Sequence, residues 1–133
     1  MKQISVLVEN KKGKLYEVVS ALAAAGINLC ALSIADTADY GILRIVPNDV
    51  DQAIAVLTGK GFLAKVTDVL AVKIDDTPSA FADIIRALAD QDVSVEYTYA
   101  YTSSTPGTAL MVLRVDKTDV AMQTLRNLGK IIQ

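Results

Sequence analysis

Residue types that many enzymes and metal sites depend on are missing or rare in the 133-residue sequence. There is no histidine, and Cys30 is the only cysteine. Without histidine, the commonest general base near neutral pH is missing. A lone cysteine forms neither an intrachain disulfide nor a thiolate metal cage, and without a histidine partner it is a poor nucleophile. We therefore interpret Cys30 as a small strand residue and predict neither an enzyme nor a metal or other cofactor.

Carboxylates are the remaining side chains that could act as an acid or a base. The acidic pairs Asp75 with Asp76 and Asp90 with Asp92 fall at a predicted turn and a predicted helix end, where solvated acids are usual. The sequence contains no glycine-rich phosphate loop followed by a lysine, and no dinucleotide-binding fingerprint. An enzyme that uses carboxylates stays an alternative without positive support.

Long apolar runs and an excess of basic residues are also absent. No window approaches the roughly 18 continuous apolar residues of a membrane-spanning helix, and residues 1–3 lead directly into alternation without a signal-peptide pattern. The net charge of −2 and the isoelectric point near 5.0 argue against nucleic acid and anionic membranes as partners. The one basic cluster, residues 11–14, is typical of a solvated turn. We therefore expect a cytoplasmic protein.

Apolar residues, in contrast, are abundant. They make up 52% of the sequence, above the roughly 45–50% of ordinary soluble domains. A chain of this length forms one domain or two very small ones. The excess indicates an apolar surface that another unit or another chain covers, and we expect a homodimer.

The apolar residues follow a pattern that occurs twice. When residues 4–34 are shifted forward by 66 positions onto residues 70–100, apolar residues fall on apolar residues without a gap. The matched sets are Ile4, Val6 and Val8 with Leu70, Val72 and Ile74; Leu15, Val18, Val19 and Leu22 with Phe81, Ile84, Ile85 and Leu88; and Ile27 and Leu29 with Val93 and Val95. This pattern predicts two copies of one supersecondary unit, residues 1–67 and residues 68–133.

The first copy reads as strand, helix, strand, strand, helix, strand. Its strands are expected at residues 4–8, 27–34, 42–46 and 62–66. Helical spacing starts at Leu15 and ends before Gly26, which predicts an amphipathic helix of about three turns. Asn48 or Asp49 can cap the second helix.

The second copy repeats this order with its own turn and cap residues. Thr77 followed by Pro78 predicts a helix start, because the hydroxyl can accept an orphan amide and proline lacks the amide that would be orphaned. Thr118 stands where Asn48 stands, at a spacing of 70. This spacing predicts four extra residues in the hairpin over residues 102–108.

The expected fold class is α+β, with antiparallel sheets and helices on one side of each sheet. Only Thr67 and Asp68 separate the two copies, so we expect them to pack rigidly together. A βαββαβ unit serves several functions. An RNA-binding version needs a basic surface and aromatic residues on its central strands, a metal carrier needs two cysteines near the first helix, and a phosphatase needs an arginine in its first loop. Small-ligand binding and assembly remain.

The loop between the first strand and the first helix is the candidate site. Residues 10–15 lead to a helix N-terminus, where unpaired amides and the helix dipole favour a carboxylate by about 0.3–1 kcal/mol. Gly13 would let the backbone approach a ligand closely. Because every helix has an N-terminus, an ordinary turn is the alternative interpretation.

Motifs in this loop and after the first helix resemble those of the ACT domain family. They are Asn10, Gly13 and Leu15, followed by Gly26, Ile27, Asn28 and Leu29, and they are similar to a glycine-containing first loop and a Gly-Ile-Asn-Ile/Leu start of the second strand. Residues 33–44 look like the stand-alone tandem ACT proteins of bacteria and archaea, and the resemblance covers essentially the whole chain. It implies two ferredoxin-like ACT repeats that bind an amino acid between ACT units and regulate a separate enzyme of amino-acid metabolism.

The resemblance also implies the ligand-binding residues, because in this family the first loop of one unit faces the start of the second strand of its partner. One set is Asn10, Gly13, Lys14 and Leu15 with Ser94, Val95 and Glu96, and the other is Asp76, Ser79 and Phe81 with Asn28, Leu29 and Cys30. The second copy departs from the family pattern, since Ser79 replaces the loop glycine. A Cβ at this position narrows the approach of a ligand, so we expect the two sites to be unequal.

Two alternatives stay open at this point. Tyr97, Tyr99 and Tyr101 fall on one face of a predicted strand, either as a partly covered sheet face or dimer surface, or as ligand contacts. The protein as a whole is interpreted either as an amino-acid sensor or as a structural partner subunit that regulates another protein and binds no small ligand.

Overall fold

The computed structural model describes residues 1–36, 38–102 and 106–130. The chain divides into two compact units, an N-terminal unit of residues 2–67 and a C-terminal unit of residues 68–133 together with Met1. The N-terminal elements are β1 (Lys2–Glu9), α1 (Lys14–Ala24), β2 (Leu29–Asp36), β3 (Tyr40–Pro47), α2 (Val50–Gly59) and β4 (Leu63–Asp68). The C-terminal elements are β5 (Leu70–Asp75), α3 (Ala80–Asp90), β6 (Val95–Ala100), β7 (Thr108–Val115) and α4 (Thr118–Asn127).

The N-terminal unit is a four-stranded sheet with both helices on one face. Its strand order is β2-β3-β1-β4, and β3 pairs antiparallel with both β1 and β2. Alternate residues of β1 point to one face, where Ile4 lies opposite Ile45 and Val6 opposite Leu43. These side chains form one buried core with the inner faces of α1 and α2, which contribute Val18, Leu22, Ala53 and Leu57.

The C-terminal unit repeats this arrangement. Within the described residues its sheet has the order β5-β7-β6, with both pairs antiparallel. Its core combines alternate residues of β5 and β7 with the buried residues of α3 and α4, which are Ile84, Leu88, Ala121 and Leu125. The amide of Lys73 donates to the carbonyl of Lys130 over 2.8 Å, so Lys130 lies beside β5. The last strand predicted from the repeat falls on residues 131–133, outside the described residues.

The hairpin of the second copy is longer by two residues, so the predicted insertion of four is wrong. Leu70 lies opposite Leu113, and the equivalent Ile4 lies opposite Ile45. These two partners are 68 positions apart, and α4 also begins 68 positions after α2. Thr118 is therefore the first residue of α4 and not a cap. The predicted spacing of 70 came from matching two polar residues, Thr118 and Asn48. The alignment of the two copies is instead set by strand register and by the buried faces of the helices.

The four helices of the described residues are 10 or 11 residues long, and none is long and apolar enough to cross a membrane. For α2 the predicted cap is confirmed, because the Asp49 carboxylate accepts from the amide of Gln52 over 3.0 Å. The predicted helix start at Thr77 and Pro78 is wrong. Helix α3 begins at Ala80, and a backbone bond of 3.2 Å from its amide to the Thr77 carbonyl closes the preceding turn.

Candidate functional site

The first loop (residues 10–15) joins β1 to α1 and is held by backbone hydrogen bonds. Its beginning is fixed to the β2–β3 hairpin, since the amide of Asn10 donates to the carbonyl of Asp39 over 2.9 Å. Its end is closed by a bond of 3.2 Å from the amide of Lys14 to the carbonyl of Lys11. Gly13 is the N-cap of α1 with a φ of 88° and a ψ of −12°, a left-handed conformation that L side chains rarely adopt.

The start of α1 keeps backbone donors available. Helix geometry leaves the amides of the first turn without an intrahelical acceptor, and Gly13 supplies no capping side chain. In the part of the chain that the structure describes, Lys14 uses its amide in the loop, whereas the amides of Leu15 and Tyr16 have no acceptor. This loop can therefore receive a carboxylate.

A pocket of about 360 Å³ opens beside the first loop, on the side of the β2–β3 hairpin. This first pocket is lined by Val8, Glu9, Asn10, Lys11, Leu15, Ile34 and Gly41. The side chain of Val8 is buried, while Leu15 and Ile34 are 41% and 48% exposed. Apolar walls therefore stand next to the helix N-terminus. Of the loop residues predicted for this site, Asn10 and Leu15 line the pocket, while Gly13 and Lys14 belong to the loop but not to the lining.

Four of the five charged side chains at positions 9–17 form two ion pairs. The ammonium of Lys11 lies 3.2 Å from the carboxylate of Glu9, and that of Lys14 lies 3.6 Å from Glu17. Both pairs are solvent-exposed and hence weak. Lys12 is the fifth charged residue of positions 9–17, so the loop keeps one net positive charge beside the helix amides.

The second loop (residues 76–81) has the same backbone hydrogen bonds but a different cap conformation. The amide of Asp76 donates to the Gly107 carbonyl over 3.0 Å, as Asn10 does to Asp39 in the first loop. At the cap, however, Ser79 has a φ of −91°, close to the opposite of Gly13. Because φ is the rotation about the N–Cα bond, the peptide group before Ser79 is oriented differently from that before Gly13.

The pocket beside the second loop lies between β5, α3 and residues 128–130, and not on the side of the β6–β7 hairpin. This second pocket, of about 400 Å³, is lined by Ile74, Asp75, Thr77, Ser79, Ala80, Asp83, Ile84, Ala87, Leu128 and Lys130. It opens toward the C-terminal segment, where Lys130 lies 3.8 Å from Asp75. Of the predicted residues, Ser79 lines it and Asp76 does not, while the half-buried Phe81 packs against the core instead.

The residues predicted for the opposite side of each site begin the second strand of each unit. Asn28, before β2, is hydrogen-bonded to Asn48, after β3, since the amide of Asn28 donates to Asn48 Oδ1 over 3.1 Å. The equivalent bond in the C-terminal unit runs from the amide of Ser94 to Asp116 Oδ1 over 2.9 Å. The other predicted residues come next in the chain, after Asn28 and Ser94. Leu29, Cys30 and Val95 are half-buried, and Glu96 is exposed. That these residues face a first loop of another unit stays a prediction.

An ion pair that sequence reasoning missed holds the turn before β6. Asp92, in the position of Gly26, has a φ of 58°, a conformation that aspartate tolerates better than most residues. Lys117 Nζ donates to the carbonyl of Asp92 over 2.6 Å and to its carboxylate over 2.9 Å. This hydrogen bond and the attraction between the charges lower the pKa of Asp92 and raise that of Lys117. The signal in the sequence was that Asp92 replaces the glycine of the first copy, Gly26.

Two of the three tyrosines share a face, as predicted. The rings of Tyr97 and Tyr99 stack with centroids 6.5 Å apart, and Tyr99 is buried. Tyr99 lies opposite Val112, whose neighbour Leu113 faces the helices, so the pair occupies the opposite sheet face. Tyr101 follows the end of β6. Their roles at a dimer surface or in ligand contact stay alternative predictions.

The fold and the loops define a tandem βαββαβ protein in which a glycine-capped helix N-terminus lies beside a pocket. The family model of the ACT domain pair matches residues 1–130. The chain therefore belongs to the ACT domain family, as a pair of ACT domains, and the predicted family and fold class are confirmed.

Solved structures show the same fold. A protein from Bacteroides thetaiotaomicron is 35% identical, with 99% of this chain and 90% of that chain covered and a TM-score of 0.92. The regulatory subunit of aspartate kinase from Thermus thermophilus is 17% identical, with 96% of this chain and 90% of that chain covered and a TM-score of 0.73. The regulatory subunit of aspartate kinase from Thermus flavus is 20% identical, with 95% of this chain and 90% of that chain covered and a TM-score of 0.65. At these identities the two subunits show the fold alone. No curated protein matches the sequence significantly.

Proposed function

We propose that the protein is a non-enzymatic regulator that binds a free amino acid at the first loop and modulates a separate enzyme of amino-acid metabolism. The observation that carries this proposal is the combination of a left-handed glycine cap, helix amides without an acceptor in the described residues, and an adjacent pocket of about 360 Å³. Membership of the ACT domain pair family supports it. The related fold of two subunits that regulate aspartate kinase favours a partner enzyme on another chain.

In this proposal each part of the ligand has a partner. The amides of Leu15 and Tyr16 receive the carboxylate, because the helix N-terminus carries positive partial charge. The side-chain oxygen of Ser94, which the family resemblance sets opposite the first loop, accepts from the ammonium group together with strand carbonyls. The first pocket receives the side chain. A ligand that needs two units favours their docked state, and this coupling transmits the signal.

A thermal-shift screen against the common amino acids tests ligand binding. A ligand at one hundred times its dissociation constant stabilises the folded state by about 2.7 kcal/mol, which raises the melting temperature of a chain of this size by several degrees. We expect such a shift with a subset of amino acids. No shift with any of them would favour the structural partner subunit that binds no small ligand.

The variant Gly13→Val tests the location of the site. Gly61→Val is a matched control, because Gly61 has a φ of 85° and, like Gly13, would meet no atom within 4 Å if it carried a Cβ. Both substitutions should lower the free energy of unfolding by about 1–3 kcal/mol through backbone strain. Only Gly13→Val should weaken ligand binding, by at least tenfold in calorimetry. Equal affinities of the two variants would place the ligand elsewhere.

A further inference from the structure

The walls of the first pocket indicate which amino acids it accepts. We infer that the N-terminal unit selects an aliphatic amino acid, of the valine, leucine or isoleucine type, over a charged or strongly polar one. This inference rests on the proposed function and names the ligand class of the same pocket.

Three side chains give the pocket apolar walls. Val8 is only 3% exposed, whereas Leu15 and Ile34 on either side present much of their surface to solvent. A ligand side chain that covers Leu15 and Ile34 removes apolar surface from water, and the gain grows with the area covered. A polar side chain in the same place would lose hydrogen bonds to water without a replacement from these walls.

The charges of the pocket do not favour a charged ligand side chain. Glu9 and Lys11 are its charged lining residues, and they pair with each other at 3.2 Å. A lysine-like or aspartate-like ligand therefore meets no net charge of the opposite sign. The remaining polar lining residue, Asn10, is neutral.

The size of the pocket agrees with a single small amino acid. Ligand sites range from about 300 to 1,000 Å³, and the first pocket is near the lower end at about 360 Å³. Gly41 keeps part of this space open, because a Cβ there would lie 3.5 Å from Ile34 Cδ1 and Cγ1. This is ordinary contact, so an added methyl group would fit and would occupy space that a ligand could use.

The C-terminal unit lacks the same walls. By strand register, Ala100 stands in the place of Ile34 and Ala109 in the place of Gly41. Neither alanine lines the second pocket, which opens on the other side of β5. The selectivity is therefore a property of the N-terminal unit.

Calorimetric titration of the full chain with valine, leucine, isoleucine, threonine, aspartate and lysine tests this inference. We expect the three aliphatic amino acids to bind at least tenfold more tightly than the other three. Ile34→Ala should weaken aliphatic binding by about tenfold. The matched control is Leu32→Ala, because Leu32 lies on the same face of β2, is equally exposed at 48%, and does not line the pocket. It should leave the affinity within twofold.

A second variant, Gly41→Ala, keeps the test valid if Ile34→Ala does not fold. The added methyl group should weaken binding of leucine and isoleucine more than binding of valine. Tightest binding by a charged or polar amino acid would overturn the aliphatic inference and leave the proposed function intact. If neither Ile34→Ala nor Gly41→Ala changed the affinity for aliphatic amino acids, the inference would also be overturned. No binding by any common amino acid would refute the proposed function, and the inference with it.

Discussion

At the scale of single residues, the two loops differ in the backbone conformation of their helix caps. Gly13 and Ser79 occupy the same position between the same backbone hydrogen bonds, yet their φ angles are 88° and −91°. A Cβ at Gly13 would meet no atom within 4 Å, so the restriction comes from the backbone itself. The backbone amides of the two loops are therefore oriented differently at this position.

The ion pair between Asp92 and Lys117 gives a prediction for pH. Asp92→Asn keeps tolerance for a positive φ but removes the charge, so the variant should be less stable than the original protein at pH 7. Because the folded-state pKa of Asp92 lies below its ordinary value of 3.8, this stability is present above pH 3.8 and is lost as the pH falls through the folded value. Urea unfolding at pH 7 and at pH 2.5 measures the difference between the two proteins.

The same pair also predicts a change of stability at alkaline pH. The pKa of Lys117 is raised above its ordinary value of 10.5, so its contribution is present below pH 10.5 and is lost as the pH rises through the folded value. Asp90→Asn is the control, since Asp90 has no ion pair in the described residues. A variant at Asp92 that behaved like this control at pH 7 would show that the pair contributes no stability.

At the scale of elements, periodic patterns predicted the helices and strands, while caps and insertions required the tertiary structure. Helix α1 was expected from Leu15 and begins at Lys14, and β3 was expected at residues 42–46 and covers Tyr40–Pro47. The cap of α2 at Asp49 was also predicted correctly, because its carboxylate acts within one turn. The start of α3 was not, because a backbone turn there replaces the side-chain cap.

The cap of α2 allows a test of this local contribution. Asp49→Ala removes the acceptor for the Gln52 amide and should lower the free energy of unfolding by about 0.5–2 kcal/mol. Asp51→Ala, within the first turn of the same helix, changes the same charge without removing the cap and should cost less. Chemical denaturation of both variants measures the two values, and equal losses would contradict a capping role.

At the scale of the whole molecule, exposed apolar residues indicate an assembly. Large apolar side chains that are more than a third exposed include Leu7, Leu15, Tyr16, Val19, Leu32, Ile34, Tyr40, Leu63, Val66, Val120 and Leu128. Together with the 52% apolar composition, they favour contact with another chain. We expect a homodimer by light scattering coupled to size-exclusion chromatography. A monomer at micromolar concentration would contradict this prediction.

The sequence by itself determined the duplicated βαββαβ order, the two cores and the loop that leads to α1, because the periods of strands and helices and the conformational freedom of glycine are local properties. Only the tertiary structure decided the walls of the first pocket. Ile34 and Gly41 come to Asn10 through the antiparallel register of β2 and β3, which joins residues far apart in the chain. The same kind of register between β5 and β7 fixed the length of the second hairpin.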